Sequence, residues 1–293
     1  MASELKIREV ERSDKEEIME LASHIWDGRD YIPDYFDRWF EEGGFICGKS
    51  GGKIIALAKH TWHRDDVLWL EGLRVHPDHQ GQGYGRKMIE GQIDFIEDLD
   101  YSVARFLTSG DNTPVIKVAE DIGFELKKKY EYLRLKEKDM ERVHTSSEKS
   151  EMEASVEKDV DDVIEFVQGS PEFEENAGLY IEHWIGYPLD ESLIKDRVEK
   201  GRCFSIRDGK DIDSLIFLEV EENYGSLSAA FTCGTVEGIK GLFRFGTERC
   251  IRNGHDRFRL KTASDKVVEA AKEIGFTHSD KYRYNLVYEY YKD

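Results

Sequence analysis

Positive charge is what this sequence has too little of. Its 293 residues carry 42 Lys and Arg against 61 Asp and Glu, a formal net charge of −19 with a pI near 5.0. Such a surface repels phosphate backbones and anionic headgroups, so neither nucleic acid nor a membrane is an expected partner. It favours a cationic amine as ligand only mildly, because most acidic surfaces serve solubility alone. Cysteine is scarce as well. Cys47, Cys203, Cys233 and Cys250 are scattered with no CxxC spacing, which suits free buried thiols in a reducing compartment. No apolar run approaches the ~18 residues of a membrane span, and the opening MASELKIREVERSDKEE has no apolar signal core. A soluble, cytoplasmic protein is the expectation.

What is present centres on residues 70–86, LEGLRVHPDHQGQGYGR. Residues 67–75 are mostly apolar and too short for a buried helix, so they predict a strand. Pro77 ends it, having no N–H to give and a fixed φ. Gly81, Gly83 and Gly85 follow, and then Met88, Ile89, Ile93, Phe95 and Ile96 recur at helical spacing. The pattern is strand, glycine turn, helix. Glycines let successive backbone N–H groups converge on an anion, and the helix adds its positive N-terminal dipole. The guest is therefore a phosphate or pyrophosphate. A P-loop needs Gly-Lys-Ser/Thr, which Gly85-Arg86-Lys87-Met88 does not provide, and the glycines lack the spacing of a dinucleotide fingerprint.

Gln80 to Gly85 fits Q/R-x-x-G-x-G/A and resembles the acyl-coenzyme A signature of the GCN5-related N-acetyltransferases (GNAT). Leu73-Arg74-Val75-His76-Pro77 resembles that family's strand and turn. The periodicities around it predict strands at 5–10, 44–48, 53–62, 103–108, 124–127 and 130–136, and helices at 17–25, from Pro33 through Phe40, and at 113–122. Ser13 with Glu16 predicts a capping box, and Lys49-Ser50-Gly51-Gly52 a hairpin turn. This order resembles the acetyltransferase topology over residues 5–136.

Length suggests two domains, and the second half repeats the first. Ala119, Ile122, Gly123, Phe124, Lys129, Tyr130 and Tyr132 are answered by Ala271, Ile274, Gly275, Phe276, Lys281, Tyr282 and Tyr284 at one offset, 271 − 119 = 152. The same offset carries Arg105-Phe106 onto Arg257-Phe258. The expected class is α/β (α+β), with two tandem GNAT folds, each a mixed, mostly antiparallel sheet flanked by helices. A catalytic domain at 1–137, a charged linker at 138–153 and a degenerate copy at 154–293 are expected. The copy's turn, near Gly234 and Gly238, lacks the motif and places Glu237 where a pyrophosphate would sit.

The resemblance implies acetyl-CoA as cofactor and a small-molecule amine as acceptor. It implies that Leu73, Arg74 and Val75 lie along the pantetheine arm, that Gln80, Gly81, Gln82, Gly83, Tyr84, Gly85 and Arg86 hold the pyrophosphate, and that Asn112 lies near the arm unless it is an ordinary N-cap. Glu71 interrupts an apolar strand, where a carboxylate is costly unless paired or used. It is the expected general base, or else an ion-pair partner of Arg74 or another cation. The family often places a general-acid Tyr where this chain has Ala119, so Tyr130 or Tyr132 is the substitute, unless solvent serves or both rings are core.

The segment from Ile25 to Pro33, with Trp39 and the 70–77 strand, resembles histidine N-acetyltransferase-like proteins, with Gln80 where those carry Arg. That resemblance implies acceptor contacts from Asp27, Asp30, Tyr31 and Trp39, unless the Asp residues are turn formers and Tyr31 a staple, and a free amino acid or a similar small amine as substrate. Acetylation of a protein N-terminus or lysine, and acyl-CoA binding without turnover, remain alternatives. No metal is expected from His60, His63, His76 and His79. Two fused copies can mimic a dimer, so a monomer is expected to suffice, with a homodimer left open.

Overall fold

The computed structural model describes residues 4–146, 154–221, 225–279 and 282–292. Lys281 of the repeat, residues 147–153 of the expected linker, and the terminal residues 1–3 and 293 lie outside them. The chain forms two compact units. The first runs to Phe106 and takes in Asn112–Glu125 and the residues from Tyr288 onward; the second holds Leu107–Asp111 and Leu126–Val287. Residues 126–136 thus go with the second unit, not with the 1–137 domain expected from sequence.

In the first unit, β1 (Lys6–Glu9), β2 (Phe45–Ser50), β3 (Lys53–Arg64) and β4 (Val67–Val75) form an antiparallel run, and β5 (Val103–Ser109) lies parallel to β4. Gly51 and Gly52, at φ 59° and 83°, make the β2–β3 turn that the double glycine predicts. Two helices, α1 (Lys15–Ser23) and α2 (Ile32–Glu42), precede β2, and α3 (Tyr84–Ile96) and α4 (Thr113–Asp121) flank β5 in sequence. Pro33 sits in the first turn of α2, where its missing N–H costs nothing. Ile32, Phe36 and Trp39 then recur on one face of α2, and all three are fully buried with Phe45 and Leu57.

The entry to α1 differs from the Ser13–Glu16 capping box. A 3₁₀ turn, Arg12–Asp14, comes first, and the reciprocal cap joins Glu11 to Asp14. Arg8 holds Asp14 in that place, gripping both its oxygens at 2.7 Å in a bidentate geometry.

In the second unit the strand order is β6 (Glu125–Lys136), β13 (Arg257–Thr262), β12 (Ser226–Gly234), β11 (Asp211–Glu221), β10 (Cys203–Asp208) and β7 (Ser155–Val156). The two closing strands expected at 124–127 and 130–136 are one continuous strand, β6. Register with β13 from Lys136↔Arg257 to Glu131↔Thr262 holds its second half straight. The start of the expected linker is a helix, α5 (Glu137–Ser146). Its Met140 is fully buried, and Val143 packs on the same cluster as Phe243, Phe258 and Phe276. Two apolar residues in a charged stretch were too few to announce a face. Among the described residues no helix is long and apolar enough to cross a membrane.

Candidate active site

The site of the first unit begins with a defect in β4. Leu57 pairs with Arg74 and Lys59 with Glu71, so Gly72 and Leu73 together face the single Ala58. This is a β-bulge, and Gly72 takes the left-handed φ of 68° it requires. Beyond the bulge β4 parts from its other neighbour, because the parallel pairing with β5 is confined to Val67↔Val103, Leu68↔Ala104 and Trp69↔Arg105. Residues 70–75 are left with an edge that no β5 ladder bond covers. The Leu73 carbonyl accepts from Arg74 Nη1 at 3.0 Å, and the Val75 carbonyl from Gln80 Nε2 at 3.1 Å. Each carbonyl keeps a second lone pair for an incoming amide.

The glycine turn follows. Gln82 Nε2 donates to the Asp78 carbonyl at 3.0 Å, tying the turn from within. Gly81 (φ 72°) and Gly83 (φ 84°) are left-handed, and a Cβ on either would meet nothing within 4 Å. The open side of the turn is therefore free of protein atoms. Gly83 occupies the N-cap of α3, which carries no side-chain cap hydrogen bond. A first helical turn without a side-chain cap offers its N–H groups and its dipole to an anion. Tyr84 and Met88 anchor the helix in the core. Arg86 is partly exposed and paired with Asp121 and, at 3.6 Å, with Glu90. Its charge is shared with carboxylates, so the backbone is the stronger element of the cradle. The residues present fit a pyrophosphate.

Glu71 stands one residue before the bulge, half-buried. Its Oε1 accepts from the Thr61 hydroxyl at 2.7 Å. Burial raises its pKa above the ordinary glutamate value, against the opposing pull of the Thr61 hydrogen bond and the Lys59 charge. Arg74 does not partner it. The Arg74 guanidinium grips Asp30, Nε to Oδ2 at 2.8 Å and Nη2 to Oδ1 at 3.1 Å, and lies over the Trp26 and Tyr31 rings.

That pairing changes the expected acceptor contacts. The Asp30 carboxylate is buried and also accepts from the Ile32 N–H at 3.3 Å, so it anchors the loop and is already committed. Trp39 is core, its ring packed edge-on to Tyr31 and Phe45. Tyr31 sits between Trp39, Tyr35 and the Arg74 guanidinium, and burial raises its pKa. Only Asp27 projects into solvent, paired loosely with Arg29 at 3.6 Å. Beside it is a residue the sequence reading passed over. Trp26 is 57 % exposed and, like Asp27, left-handed, at φ 48° and 58°. Large side chains take that conformation rarely. The run Trp-Asp-Gly carried the signal, since its glycine and aspartate suit such a turn and its tryptophan does not.

Tyr130 belongs to the second unit. It is fully buried and donates to the Asn176 carbonyl at 2.6 Å, a structural use that removes it as proton donor. Asn112 stands at the N-cap position of α4 without making a cap hydrogen bond, so the ordinary N-cap role is not seen. Ala119 is fully buried in α4 and adds no hydroxyl.

The corresponding turn of the second unit leads into α9 (Val236–Asn253), and the start of that helix is capped by protein groups. The Thr235 hydroxyl caps α9 by accepting from the Gly238 N–H at 3.1 Å, and donates to Asp213 Oδ2 at 2.8 Å. A Cβ on Gly238 would lie 2.1 Å from that same oxygen. The carboxylate packed into the turn is thus Asp213, from β11, whereas Glu237, in the first turn of α9, is exposed and paired with Lys240 at 2.9 Å. Asp213 could not be picked out in advance because it lies on another strand.

Against known proteins, residues 14–124 match the acetyltransferase (GNAT) family model. The chain is 34% identical over 73 residues to a histidine N-acetyltransferase of Scomber australasicus, a stretch covering 24% of this chain and 22% of that protein. It is 26% identical over 96 residues to a mycothiol acetyltransferase of Pseudarthrobacter chlorophenolicus, covering 30% of this chain and 29% of that one. The matched stretches thus span less than a third of these relatives' length. In fold, the whole chain is similar to a tandem GNAT protein from the clavulanic acid biosynthesis pathway, with a TM-score of 0.67, 12% identity and 99% of both chains covered. It is likewise similar to a GCN5-related N-acetyltransferase from Sphaerobacter thermophilus, with a TM-score of 0.67, 11% identity, and 98% of this chain and 95% of that one covered. At such identities the likeness speaks for the tandem fold alone.

Proposed function

We propose that this chain, whose residues 14–124 match the acetyltransferase (GNAT) family model, transfers an acetyl group from acetyl-coenzyme A to the amine of a small molecule. The observation that carries the reading is the pair of open elements in the first unit: the β4 edge freed after Trp69, and the glycine-capped start of α3. When bound, acetyl-coenzyme A supplies the thioester. Gly81 to Arg86 receive its pyrophosphate on their N–H groups, and the 73–75 edge receives its pantetheine arm. Glu71, directly or through water, takes the proton from the acceptor ammonium, so that the nitrogen lone pair is free to attack. The C–N bond forms as the C–S bond breaks, the acylated nitrogen gives up its second proton to solvent, and solvent returns a proton to the leaving thiolate, since Ala119 and Tyr130 offer none.

The acceptor side is the 26–31 loop. Trp26 offers an exposed aromatic ring and Asp27 an exposed carboxylate held only loosely by Arg29, which suits a small cationic amine, and the name of the partial relative makes a free amino acid such as histidine the first candidate. The second unit is inferred not to bind coenzyme A, because Asp213 holds the place of the anion. Thiol release from acetyl-coenzyme A, followed with a panel of free amino acids, other small amines and peptides, tests the reading. Turnover with peptides alone would favour a protein acetyltransferase. Stoichiometric coenzyme binding without release for any amine would make it a binding module.

A further inference from the structure

Lys59 is the most completely buried cation of the first unit. It sits on β3 directly opposite Glu71 in the β3–β4 register and is 1 % exposed. A lysine is rarely placed there without a use, since burying an ammonium costs several kcal/mol unless it is well paired. Its Nζ donates to the His60 carbonyl at 2.6 Å and to Thr61 Oγ1 at 2.8 Å, and lies 3.6 Å from Glu42 Oε2. The Gln92 amide holds the Lys59 carbonyl at 2.8 Å, fixing the strand beneath it. Burial lowers the pKa of the ammonium from its ordinary value.

The consequence lies in the direction of the Thr61 hydroxyl. An ammonium has only donors, so Thr61 Oγ1 must accept from Lys59. Its own proton is then given to Glu71 Oε1 at 2.7 Å. The chain Lys59 to Thr61 to Glu71 therefore has one polarity. It pins one oxygen of the carboxylate and leaves Oε2 as the oxygen with no bond to Thr61. The charge of Lys59, delivered across two short hydrogen bonds, also offsets part of the burial that disfavours ionised Glu71. The other charged or titratable groups facing Glu71 are Arg38 and Glu42 of α2 and Tyr31 at its start; Arg38 acts with Lys59, and Glu42 against it.

We propose that Lys59, acting through Thr61, is a positioning residue for Glu71: it orients the carboxylate and keeps it ionised at neutral pH. This rests on Glu71 being the general base. Removing an opposite charge at such range shifts a carboxyl pKa by roughly 1–3 units. The test uses the full chain in two measurements. Carbon-13 NMR titration follows the Glu71 carboxyl, assigned by its loss in Glu71→Gln, in wild type, Lys59→Met, Lys59→Arg, Thr61→Val and Thr61→Ser. The pH profile of kcat/KM is recorded for the same proteins.

Lys59→Met and Thr61→Val should raise the Glu71 midpoint and carry the acid limb of kcat/KM upward with it, Lys59→Met by about 1 unit or more. Lys59→Arg and Thr61→Ser should stay near wild type. If Lys59→Met does not fold, the Thr61 pair decides, because a threonine-to-valine change conserves shape. A Glu71 midpoint unmoved in folded Thr61→Val or Lys59→Met overturns the proposal. A midpoint that moves while the limb stays put overturns its link to turnover. An acid limb that persists in Glu71→Gln places the failure in the choice of base instead, and with it the proposal falls.

Discussion

A Cβ on Gly72 would lie 2.8 Å from Cη2 and Cζ3 of Trp39. The buried floor of the first unit and the bulge beside Glu71 are thereby one construction: the indole fills the space that a side chain at position 72 would need. Gly72→Ala meets both this contact and a left-handed φ, and should destabilise the chain by about 2–4 kcal/mol. In a Trp39→Phe background, where those two atoms are gone, the alanine should cost measurably less. Urea unfolding of the two singles and the double checks this; strict additivity would mean that the contact is relieved elsewhere.

Gly83→Val should abolish coenzyme A binding while leaving the fold intact. The site is open, so no clash opposes the valine, and the strain of a β-branched residue at φ 84° is about 1–2 kcal/mol. The added methyls would stand between the helix N–H groups and a phosphate. Calorimetry should find one coenzyme A per wild-type chain and none for the variant. Two equivalents per wild-type chain would show that Asp213 does not exclude the anion.

Loss of the base should be severe and pH-specific. Glu71→Gln keeps the shape and the hydrogen bond from Thr61 but cannot accept a proton. A fall in kcat of about 100- to 10,000-fold is expected, with the affinity for acetyl-coenzyme A little changed. Because burial raises the Glu71 pKa, the wild-type rate should fall away on the acid side at a higher pH than an ordinary glutamate would allow. A variant within about twofold of wild type would return Glu71 to the structural ion pairs.

His60 predicts a stability slope. It is buried, and burial together with the Lys59 charge lowers its pKa to about 4, against an unfolded value of about 6.5. The unfolded chain therefore takes up a proton that the folded one refuses. The stability of the neutral form is whole above about pH 6.5, and is lost progressively as pH falls to about 4, by up to roughly 2–3 kcal/mol. His60→Phe should flatten that part of the profile. Urea midpoints from pH 7 to pH 4 test it, and a wild-type-minus-variant difference that does not change with pH would refute it.

Much of this molecule is written locally. The β4 limits, 67–75, fall where the apolar run places them, and Pro77 and the glycines announce the turn, because each acts through its own φ or its own missing N–H. The tandem organisation was visible in a single 152-residue offset, since a repeat leaves identities wherever the same helix and strand must pack the same way.

Other features had no local sign. Asp30 looks like a free carboxylate until β4 brings Arg74 to it, and Tyr130 looks like a spare hydroxyl until the Asn176 carbonyl is placed beside it. Asp213 reaches the start of α9 only because β11 pairs with β12, and Lys59 reaches Glu71 only through the β3–β4 register. The sequence by itself determined most elements of the first unit and the glycine turn, because backbone preferences act between near neighbours. Which charges meet was decided by tertiary structure alone, because an ion pair depends on distance in space, and residues 44 positions apart, as Asp30 and Arg74 are, carry no local mark of one another.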